Sequence, residues 1–424
     1  MRAHRHPPGL YVLFFTELWE RYSFYSMMAI LALYMNEALH FDVAHVGRVY
    51  GAYTAGVYFL PLVGGWLADR ALGFNRAIII GGVLMMFGHL VLGVESLSFF
   101  YSGLVLLACG SGLLKANVST LVGNLYRDRP ELRDQGFNIF YMGINLGAFI
   151  SPLTVSWLRL HYGWGPAFMS AAVAMMLSLT VFIVFNRYVA EAAVKVDAHG
   201  AEAEAISAED ARSRVITLMA VFVISAVFWV AFYQIFYTFT FWARDNTLTS
   251  IAPEKFEVFE PLSVILLSPV LVAVWMWLQR RRAEPSTPVK MLLGVVCVAF
   301  AFGMLAFAGF NGGDHGRVSA QWIIWANVLI GLGEIALSPM GLSLVNMIAP
   351  PRSRGLLMGG WFASLATGGY LAGYIGGYWE QMPHSQFFLL VVGILVATAI
   401  PLSLMTPQIK RTIARSQAAV PVSQ

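Results

Sequence analysis

Three ionisable residues stand close together in an apolar stretch near the N-terminus, namely Glu17, Glu20 and Arg21. On a helix, with about 100° of rotation per residue, all three fall on one face. A charge inside a segment that crosses a bilayer costs roughly 2.5–3.5 kcal/mol, so these groups must face protein or trapped water. They can form a structural ion pair that joins helices, or a relay in which a carboxylate takes up a proton when the arginine changes partner.

A further cation, Lys115, lies well inside the apolar stretch 98–125. A lysine at this depth needs a carboxylate, and Glu17 and Glu20 are the nearest acids by topology. The alternative, in which the lysine reaches the membrane interface along its own aliphatic chain, is disfavoured by its position. Asn145, between glycines in the next apolar stretch, offers donors and acceptors to a ligand or to a neighbouring helix.

The loop after the second apolar stretch carries an acid and a base, Asp69 and Arg70, followed by Gly73 and Arg76. An acid and arginines at a helix end, beside glycines that allow close approach, can hold two helices together in one state and release them in another. We therefore expect Asp69 and Arg70 to act in gating, while a purely structural loop remains the alternative.

The composition places these residues in a membrane protein. Of the 424 residues, 58% are hydrophobic and only 12% are charged, whereas a soluble domain carries about 25% charged residues. The net charge of +4 is small, and we predict no nucleic-acid partner. Cys109 and Cys297 both lie in apolar stretches, which argues against a disulfide framework. The apolar stretches hold no nucleophile–base pair and no metal-spaced cluster, so we predict neither an enzyme nor a metal or organic cofactor.

Twelve apolar stretches are long enough to cross a bilayer, which takes about 20 residues. They cover residues 9–35, 46–68, 77–94, 98–125, 136–160, 164–186, 214–242, 257–279, 289–310, 318–347, 355–378 and 385–405. With the N-terminus inside, 20 of the 27 Lys and Arg residues fall on the inner side, five on the outer side and two within spans. Such a bias predicts that both termini are cytoplasmic.

The longest inner loop divides the chain into two sets of six spans. We therefore predict an N-terminal bundle over 1–186, a cytoplasmic linker over 187–213 and a C-terminal bundle with a short tail over 214–424. The third, sixth, ninth and twelfth spans contain no Lys, Arg, Asp or Glu, whereas the first, fourth and tenth do. This pattern is expected if every third helix faces lipid while the others line a central cavity.

Several motifs together resemble the proton-dependent oligopeptide transporter family of the major facilitator superfamily. They are Glu17-x-x-Glu20-Arg21 in span one, Gly112-x-x-Lys115-x-Asn117-Val118 in span four, Phe137-x-x-Phe140-Tyr141-x-x-Ile144-Asn145 in span five, and Gly333-Glu334-Ile335-Ala336-Leu337-Ser338-Pro339 in span ten, followed by Met358-Gly359-Gly360-Trp361. The resemblance covers nearly all twelve spans. The two additional helices that many bacterial relatives insert between the halves are not evident.

The resemblance implies a V-shaped major facilitator fold, all α-helical, and proton-driven uptake of di- and tripeptides with protons as the coupling ion. By position, Glu17 and Glu20 would exchange the proton, and Glu334 would bind the peptide amine. The other substrate-binding positions that the resemblance implies are Arg21 and Lys115 for the peptide carboxylate, Tyr25, Tyr58 and Asn145 nearby, Ser338 beside Glu334, and Trp229, Gln234 and Trp361 around the side-chain pockets. For Trp229 and Trp361, plain helix or lipid packing remains an alternative.

The chain departs from the family pattern at the outer ends of spans one, seven and eight. Relatives often carry an arginine at position 28 and a glutamate at position 233, where this chain has Met28 and Tyr233. Because both charges are absent together, we hypothesise that Met28 and Tyr233 meet in a sulfur–aromatic contact when the outer mouth is closed. Glu260 stands where an asparagine is common, and we expect a gating pair of Glu260 with Arg244.

The resulting prediction is a monomeric peptide symporter of a bacterial inner membrane. The same architecture could instead carry another small anion or an amino-acid-like solute, because the departures affect the peptide preference more than the fold or the proton coupling. A third possibility is a sensor that keeps the fold but moves no substrate.

Overall fold

The computed structural model describes residues 6–129, 132–193, 207–350 and 353–418, and these ranges are predominantly helical. Helices satisfy every backbone hydrogen bond within one segment, which is what a chain in hydrocarbon requires. The helices are α1 (Pro8–Leu33), α2 (Val43–Leu67), α3 (Phe74–Leu92), α4 (Leu97–Asn124), α5 (Arg133–Tyr162), α6 (Trp164–Val184), α7 (Ala208–Phe232), α8 (Thr238–Asp245), α9 (Phe259–Arg280), α10 (Thr287–Ala308), α11 (Gln321–Ile348), α12 (Arg354–Gly376) and α13 (His384–Ala418).

The helix lengths confirm the predicted number of spans. Nine helical segments in the described ranges are long and apolar enough to cross a membrane, with α7 and α8 forming one of them. The other three, α1, α2 and α12, have 26, 25 and 23 residues, which is also sufficient to span. Two short strands, β1 (Thr247–Leu248) and β2 (Val318–Ser319), pair in parallel in the loops between spans.

The seventh span is interrupted between α7 and α8 by a 3₁₀ turn, Tyr233–Phe236. The Gln234 side chain compensates for the lost helical hydrogen bonds. Its Nε2 donates to Ala372 O at 3.0 Å and to Val230 O at 3.3 Å, while its Oε1 accepts from Thr238 Oγ1 at 2.9 Å. The contact with Val230 O satisfies a carbonyl group of the last turn of α7 in this buried position.

The chain forms two compact units. The first contains the residues up to Asp42 and the chain from Ala52 through α6; the second contains Val43–Gly51 and the described residues from 207 onward. In the first unit, α1 packs against α5 and α6, and α3 packs against α4 and α6. In the second, α10 packs against α11 and α13, α7 against α12, and α9 against α11.

The N-terminal end of α2 is part of the second unit because its contacts there are backbone-close. A Cβ on Gly47 would overlap the carbonyl oxygen of Gly373 in α12. Tyr237 donates a hydrogen bond to Val43 O, and Tyr50 donates one to Tyr233 O at 3.1 Å. Two tyrosine hydroxyls therefore hold this end of α2.

Two boundaries differ from the sequence-based prediction. The helix α7 begins at Ala208 inside the predicted linker 187–213, because Ser207 accepts a hydrogen bond from Asp210 N and caps the helix. Residues 194–206 of that linker lie outside the described residues, whereas 186–188 and 191–193 form 3₁₀ turns. The last helix extends to Ala418, well beyond the predicted end at 405.

Close packing of α1 on α5 depends on Gly147, because a Cβ there would lie 2.5 Å from Leu18 O and 2.9 Å from Tyr22 N. Gly147→Ala should therefore destabilise the protein by about 1–3 kcal/mol through overpacking. Gly303→Ala is the matched control, since a Cβ at that helical glycine meets nothing within 4 Å and alanine favours the helix. Thermal unfolding in detergent measures both. Equal unfolding temperatures for the two variants would contradict the prediction.

Candidate functional site

The acids of the first span are both held by the arginine that follows them. Arg21 donates through Nε and Nη2 to the two carboxylate oxygens of Glu20, the Nη2–Oε1 distance being 2.5 Å. Its Nε also lies 3.4 Å from Glu17 Oε1, one helical turn away. All three side chains are at most 3% exposed. The predicted cluster is therefore present on one face of α1.

The surroundings of Arg21 explain why an arginine is needed there. A guanidinium can bind one carboxylate through two parallel donors and still offer a third contact, which an ammonium cannot do in a fixed plane. Its charge also lies 4.8 Å from the centre of the Phe24 ring. The second carboxylate oxygen of Glu17, Oε2, makes no hydrogen bond within the described residues. The cluster is thus incompletely satisfied, and the unused oxygen can accept a proton or a ligand donor.

Lys115 does not pair with span one as the sequence predicted. Its ammonium lies over the ring of Tyr58, 4.1 Å from the ring centre, because Arg21 already occupies both carboxylates. Lys115 nevertheless interacts through space with the charges of Glu17, Glu20 and Arg21. Its contact with the Tyr58 ring is a cation–π interaction. This interaction leaves the ammonium available to an incoming anion.

Two more tyrosines belong to this cluster. Tyr25, a predicted site residue, interacts electrostatically with Arg21. Tyr53, which the motifs did not indicate, is 6% exposed and interacts with Arg21, Glu20 and Tyr58. The sequence shows Tyr53 five residues before Tyr58 on α2. This spacing alone does not show which face of α2 meets α1.

Asn145 occupies a more structural position than the motif implied. Its Nδ2 donates to Tyr141 O at 3.0 Å, one turn earlier on α5, and the residue is 6% exposed. This contact uses the amide donor within its own helix and leaves the amide oxygen as the acceptor for another group.

The second unit holds a pair of carboxyl groups. Glu260, in the first turn of α9, is hydrogen-bonded to Glu334 in the middle of α11. The expected gating pair of Glu260 with Arg244 is therefore replaced by an acid–acid contact. Arg244 instead donates to the adjacent Asp245 at 2.8 and 3.0 Å. The reason is that α9 lies directly against α11, so the two acids meet across the helix interface.

Two further acids precede Glu260 at intervals of three residues. Glu254 and Glu257 lie in a 3₁₀ turn, Pro253–Val258, and are 0% and 3% exposed. Glu257 Oε1 accepts a hydrogen bond from Thr240 Oγ1 at 3.2 Å. The motifs did not indicate these two acids, although Glu254, Glu257 and Glu260 follow one another at a regular interval of three residues.

The remaining predicted substrate residues of the second unit are mainly packed. Gln234 is engaged with backbone and Thr238, as described above. Trp361 is 1% exposed and covers Gly341, where a Cβ would overlap its ring. Trp229 is 4% exposed and contacts the rings of Phe228, Phe232 and Tyr233. The packing alternative thus fits both tryptophans, whereas Ser338 is half-buried one turn after Glu334.

The predicted gating residues lie in contrasting environments. Asp69 and Arg70 are exposed in a π-helical turn, Ala68–Leu72, that ends at Gly73 with φ of 75°. The guanidinium of Arg70 lies 5.2 Å from the centre of the Trp66 ring. Met28 and Tyr233 are 1% and 2% exposed, and their contact remains a prediction. In the described part of the chain, no group of three His, Cys, Asp or Glu could hold a metal ion.

Known proteins match this chain over most of its length. The model of the POT family matches residues 75–208 and 187–390. The uncharacterized transporter YclF of Bacillus subtilis (strain 168) is 31% identical over 471 residues, covering 96% of this chain and 95% of that protein. The peptide transporter YePEPT of Yersinia enterocolitica is 30% identical, covering 97% of this chain and 96% of that protein.

A solved structure gives the same result for the fold. The crystal structure of a POT family transporter in complex with 5-aminolevulinic acid superposes with a TM-score of 0.88 at 25% identity. The match covers 95% of this chain and 97% of that chain. It confirms the predicted major facilitator architecture with twelve membrane-spanning helices.

Arg21→Met should destabilise the protein by about 3–5 kcal/mol, because it leaves two carboxylates buried without a counter-charge. The loss should shrink as the pH falls, since each stranded carboxylate can then take up a proton. Adding Glu17→Gln and Glu20→Gln to Arg21→Met should restore much of the stability. Thermal unfolding between neutral and mildly acidic pH measures this series, with the exposed Arg70→Met as control. A triple variant as unstable as Arg21→Met at every pH would contradict the ion-pair assignment.

Proposed function

Because this chain belongs to the POT family, we propose that it is a proton-coupled symporter that imports di- and tripeptides by alternating access. It is a transporter and not an enzyme, and it is an integral membrane protein. The bacterial relatives support the bacterial inner membrane as its location. We propose protons as the only coupling ion, no cofactor and a monomeric carrier.

The observation that carries this proposal is the contact of one arginine with two buried carboxylates. Arg21 donates to Glu20 through Nε and Nη2, and the same Nε lies 3.4 Å from Glu17 Oε1, while Lys115 lies over the Tyr58 ring and forms no ion pair with a carboxylate of the described residues. A peptide carboxylate that approaches Lys115 and Arg21 competes with the glutamates for the same cations. A glutamate that loses its cation in a dry environment is neutralised by a proton. Substrate and proton binding are coupled by this competition.

The second unit supplies the opposite charge. Glu334 on α11 is an acid within a span, and a peptide ammonium is the substrate group that it can bind. A di- or tripeptide is zwitterionic, so its carboxylate suits a cluster with buried cations and its ammonium suits an acid such as Glu334. The related transporter with 5-aminolevulinic acid bound also carries a ligand with an amine and a carboxylic acid.

That ligand favours a second candidate function. The same residues could carry an amino-acid-like solute, because the recognised charges are the same and only their separation differs. Competition separates the two candidates: uptake of labelled dialanine that free amino acids and 5-aminolevulinic acid do not inhibit supports the peptide transporter. Strong inhibition by either solute supports the alternative. A non-transporting sensor would show no ligand counterflow in liposomes.

Proteoliposome uptake of dialanine, with and without an inward proton gradient, tests the proposed function. Glu20→Gln and Glu17→Gln should lower gradient-driven uptake at least tenfold, because a permanently neutral group mimics only one protonation state. Counterflow requires no net proton movement and should be reduced much less. Asp210→Asn, at a helix start far along the chain from this cluster, is the control. Equal loss of both activities in folded Glu17→Gln and Glu20→Gln proteins would remove both glutamates from the relay.

Lys115→Ala should abolish driven uptake and weaken recognition of the peptide carboxylate. In the wild type, a dipeptide amide should bind more weakly than the free dipeptide, because it lacks the negative charge that Lys115 attracts. In Lys115→Ala that difference should largely disappear. Competition binding with dialanine and its amide measures the ratio, and Lys290→Ala, which affects a lysine paired with Glu284, is the control. An unchanged ratio would exclude Lys115 from carboxylate recognition.

A further inference from the structure

The helices α9 and α11 approach each other closely at Gly331. A Cβ on Gly331 would overlap the Ser263 hydroxyl and would lie 2.8 Å from Glu260 O. Ser263 Oγ donates to the same carbonyl at 2.7 Å, which fixes the first turn of α9. One turn after Gly331, Glu334 reaches the Glu260 carboxyl and is hydrogen-bonded to it. The contact is thus set by helix packing.

A hydrogen bond between two carboxyl groups requires a proton on one of them, because an ionised carboxylate only accepts. Two ionised carboxylates in contact would repel each other strongly in a medium of low dielectric constant. Glu260 is 6% exposed, and its Oε1 makes no hydrogen bond within the described residues, so only the other carboxyl oxygen is engaged. The geometry therefore fits a pair with one proton and one negative charge.

The elements packed against α9 and α11 carry further ionisable groups. The 3₁₀ turn before α9 contributes Glu254, Lys255 and Glu257, and Glu257 is hydrogen-bonded to Thr240. The cations of α7 and α10 lie at the starts of those helices, with Arg214 paired to Asp210 and Lys290 to Glu284. The other ionisable groups with described side chains on the elements packed against α9 and α11 are Glu209, Arg212, Tyr233, Arg280, Cys297, Tyr370, Tyr374, His384, Lys410, Arg411 and Arg415. The charge that acts most strongly on Glu260 is that of Glu334.

We propose that Glu260 and Glu334 hold one proton between them and that the pair binds the substrate ammonium in this singly charged form. The inference rests on the proposed function for its ligand, but not for the shared proton. Glu334 is the carboxylate that contacts the ammonium, and Glu260 is a positioning residue that keeps the proton and donates to Glu334. One negative charge matches one ammonium, so no excess charge is buried in the complex.

The pair is thereby a second proton site, separate from the relay of the first unit. Loss of the shared proton would leave two negative charges in contact and would open the hydrogen bond that orients Glu334. In this proposal only the hydrogen-bonded pair presents Glu334 to the ammonium, so binding falls about tenfold for each pH unit above the titration of the pair, where one proton is lost. Glu260→Gln, a permanent hydrogen-bond donor, imitates the protonated state and should remove this part of the pH dependence.

Infrared difference spectroscopy of the purified, ligand-free protein tests the shared proton directly. Glu260→Gln should remove one carboxylic-acid C=O band. The double variant Glu260→Gln/Glu334→Gln should lose the same carboxylic-acid C=O intensity as Glu260→Gln, which is that of one band, because the pair holds one proton. Loss of two acid bands in the double variant, or loss of carboxylate bands only, would overturn the proposal. If Glu260→Gln fails to fold, Glu260→Asn serves as the second variant.

Addition of dialanine tests the role of the pair in binding. The acid band of the pair should shift in frequency while its intensity is retained, and the wild type and Glu260→Gln should exchange the same number of protons with a weak buffer. In Glu334→Gln, the ratio of the affinity for dialanine to that for N-acetylated dialanine should fall at least tenfold. In Glu260→Gln, this ratio should be retained. Glu257→Gln is the matched control, since that buried acid is bonded to Thr240 instead. Disappearance of the band on binding, with release of a proton, would show that the ammonium displaces the proton and would overturn the proposal.

These readouts separate the inference from the proposed function. A protein that takes up no peptide would refute the symporter, yet the ligand-free spectra would still report whether the pair shares a proton. Conversely, normal proton-driven peptide uptake together with two ionised carboxylates would refute only the shared proton.

Discussion

The ion pairs of Arg21 are the interaction on which the first unit depends. Two acids on one face of α1 could not be buried unless a cation stood within reach of both, and Arg21 contacts both of them. The nearby Gly147 allows α5 to approach this face closely. Because Arg21 uses its donors on Glu17 and Glu20, Lys115 is left against the aromatic ring of Tyr58. The arrangement of the cationic cluster follows from this one residue.

The two units compensate the acids within their spans in different ways. In the first, a guanidinium that never loses its charge compensates the carboxylates, and a change requires movement of side chains. In the second, the contact between Glu260 and Glu334 is compensated by a proton, which can leave without any movement of the backbone. Burial of acids is costly in both cases, and the mode of compensation decides whether an anion or a change of pH disturbs the site.

The sequence predicted those features that depend on local spacing. The interval from Glu17 to Arg21 indicated one face of a helix, and hydropathy indicated twelve spans. Features that depend on which helices touch were not predicted. The Tyr58 contact of Lys115 requires the rotation of α2 relative to α4, and the Glu260–Glu334 contact requires the close approach at Gly331. The start of α7 was missed because the capping by Ser207 lies in a polar segment without hydrophobic periodicity.

The length of α13 sets the position of its last turns in the bilayer. Its 35 residues extend about 52 Å at 1.5 Å per residue, whereas the hydrocarbon layer is about 30 Å thick. Lys410, Arg411 and Arg415 follow the apolar part on the same helix, and the distribution of basic residues predicts that they meet the lipid headgroups of the cytoplasmic leaflet. Anionic lipid attracts each of them by about 1 kcal/mol. The lipid composition of that leaflet therefore affects the depth and tilt of this helix.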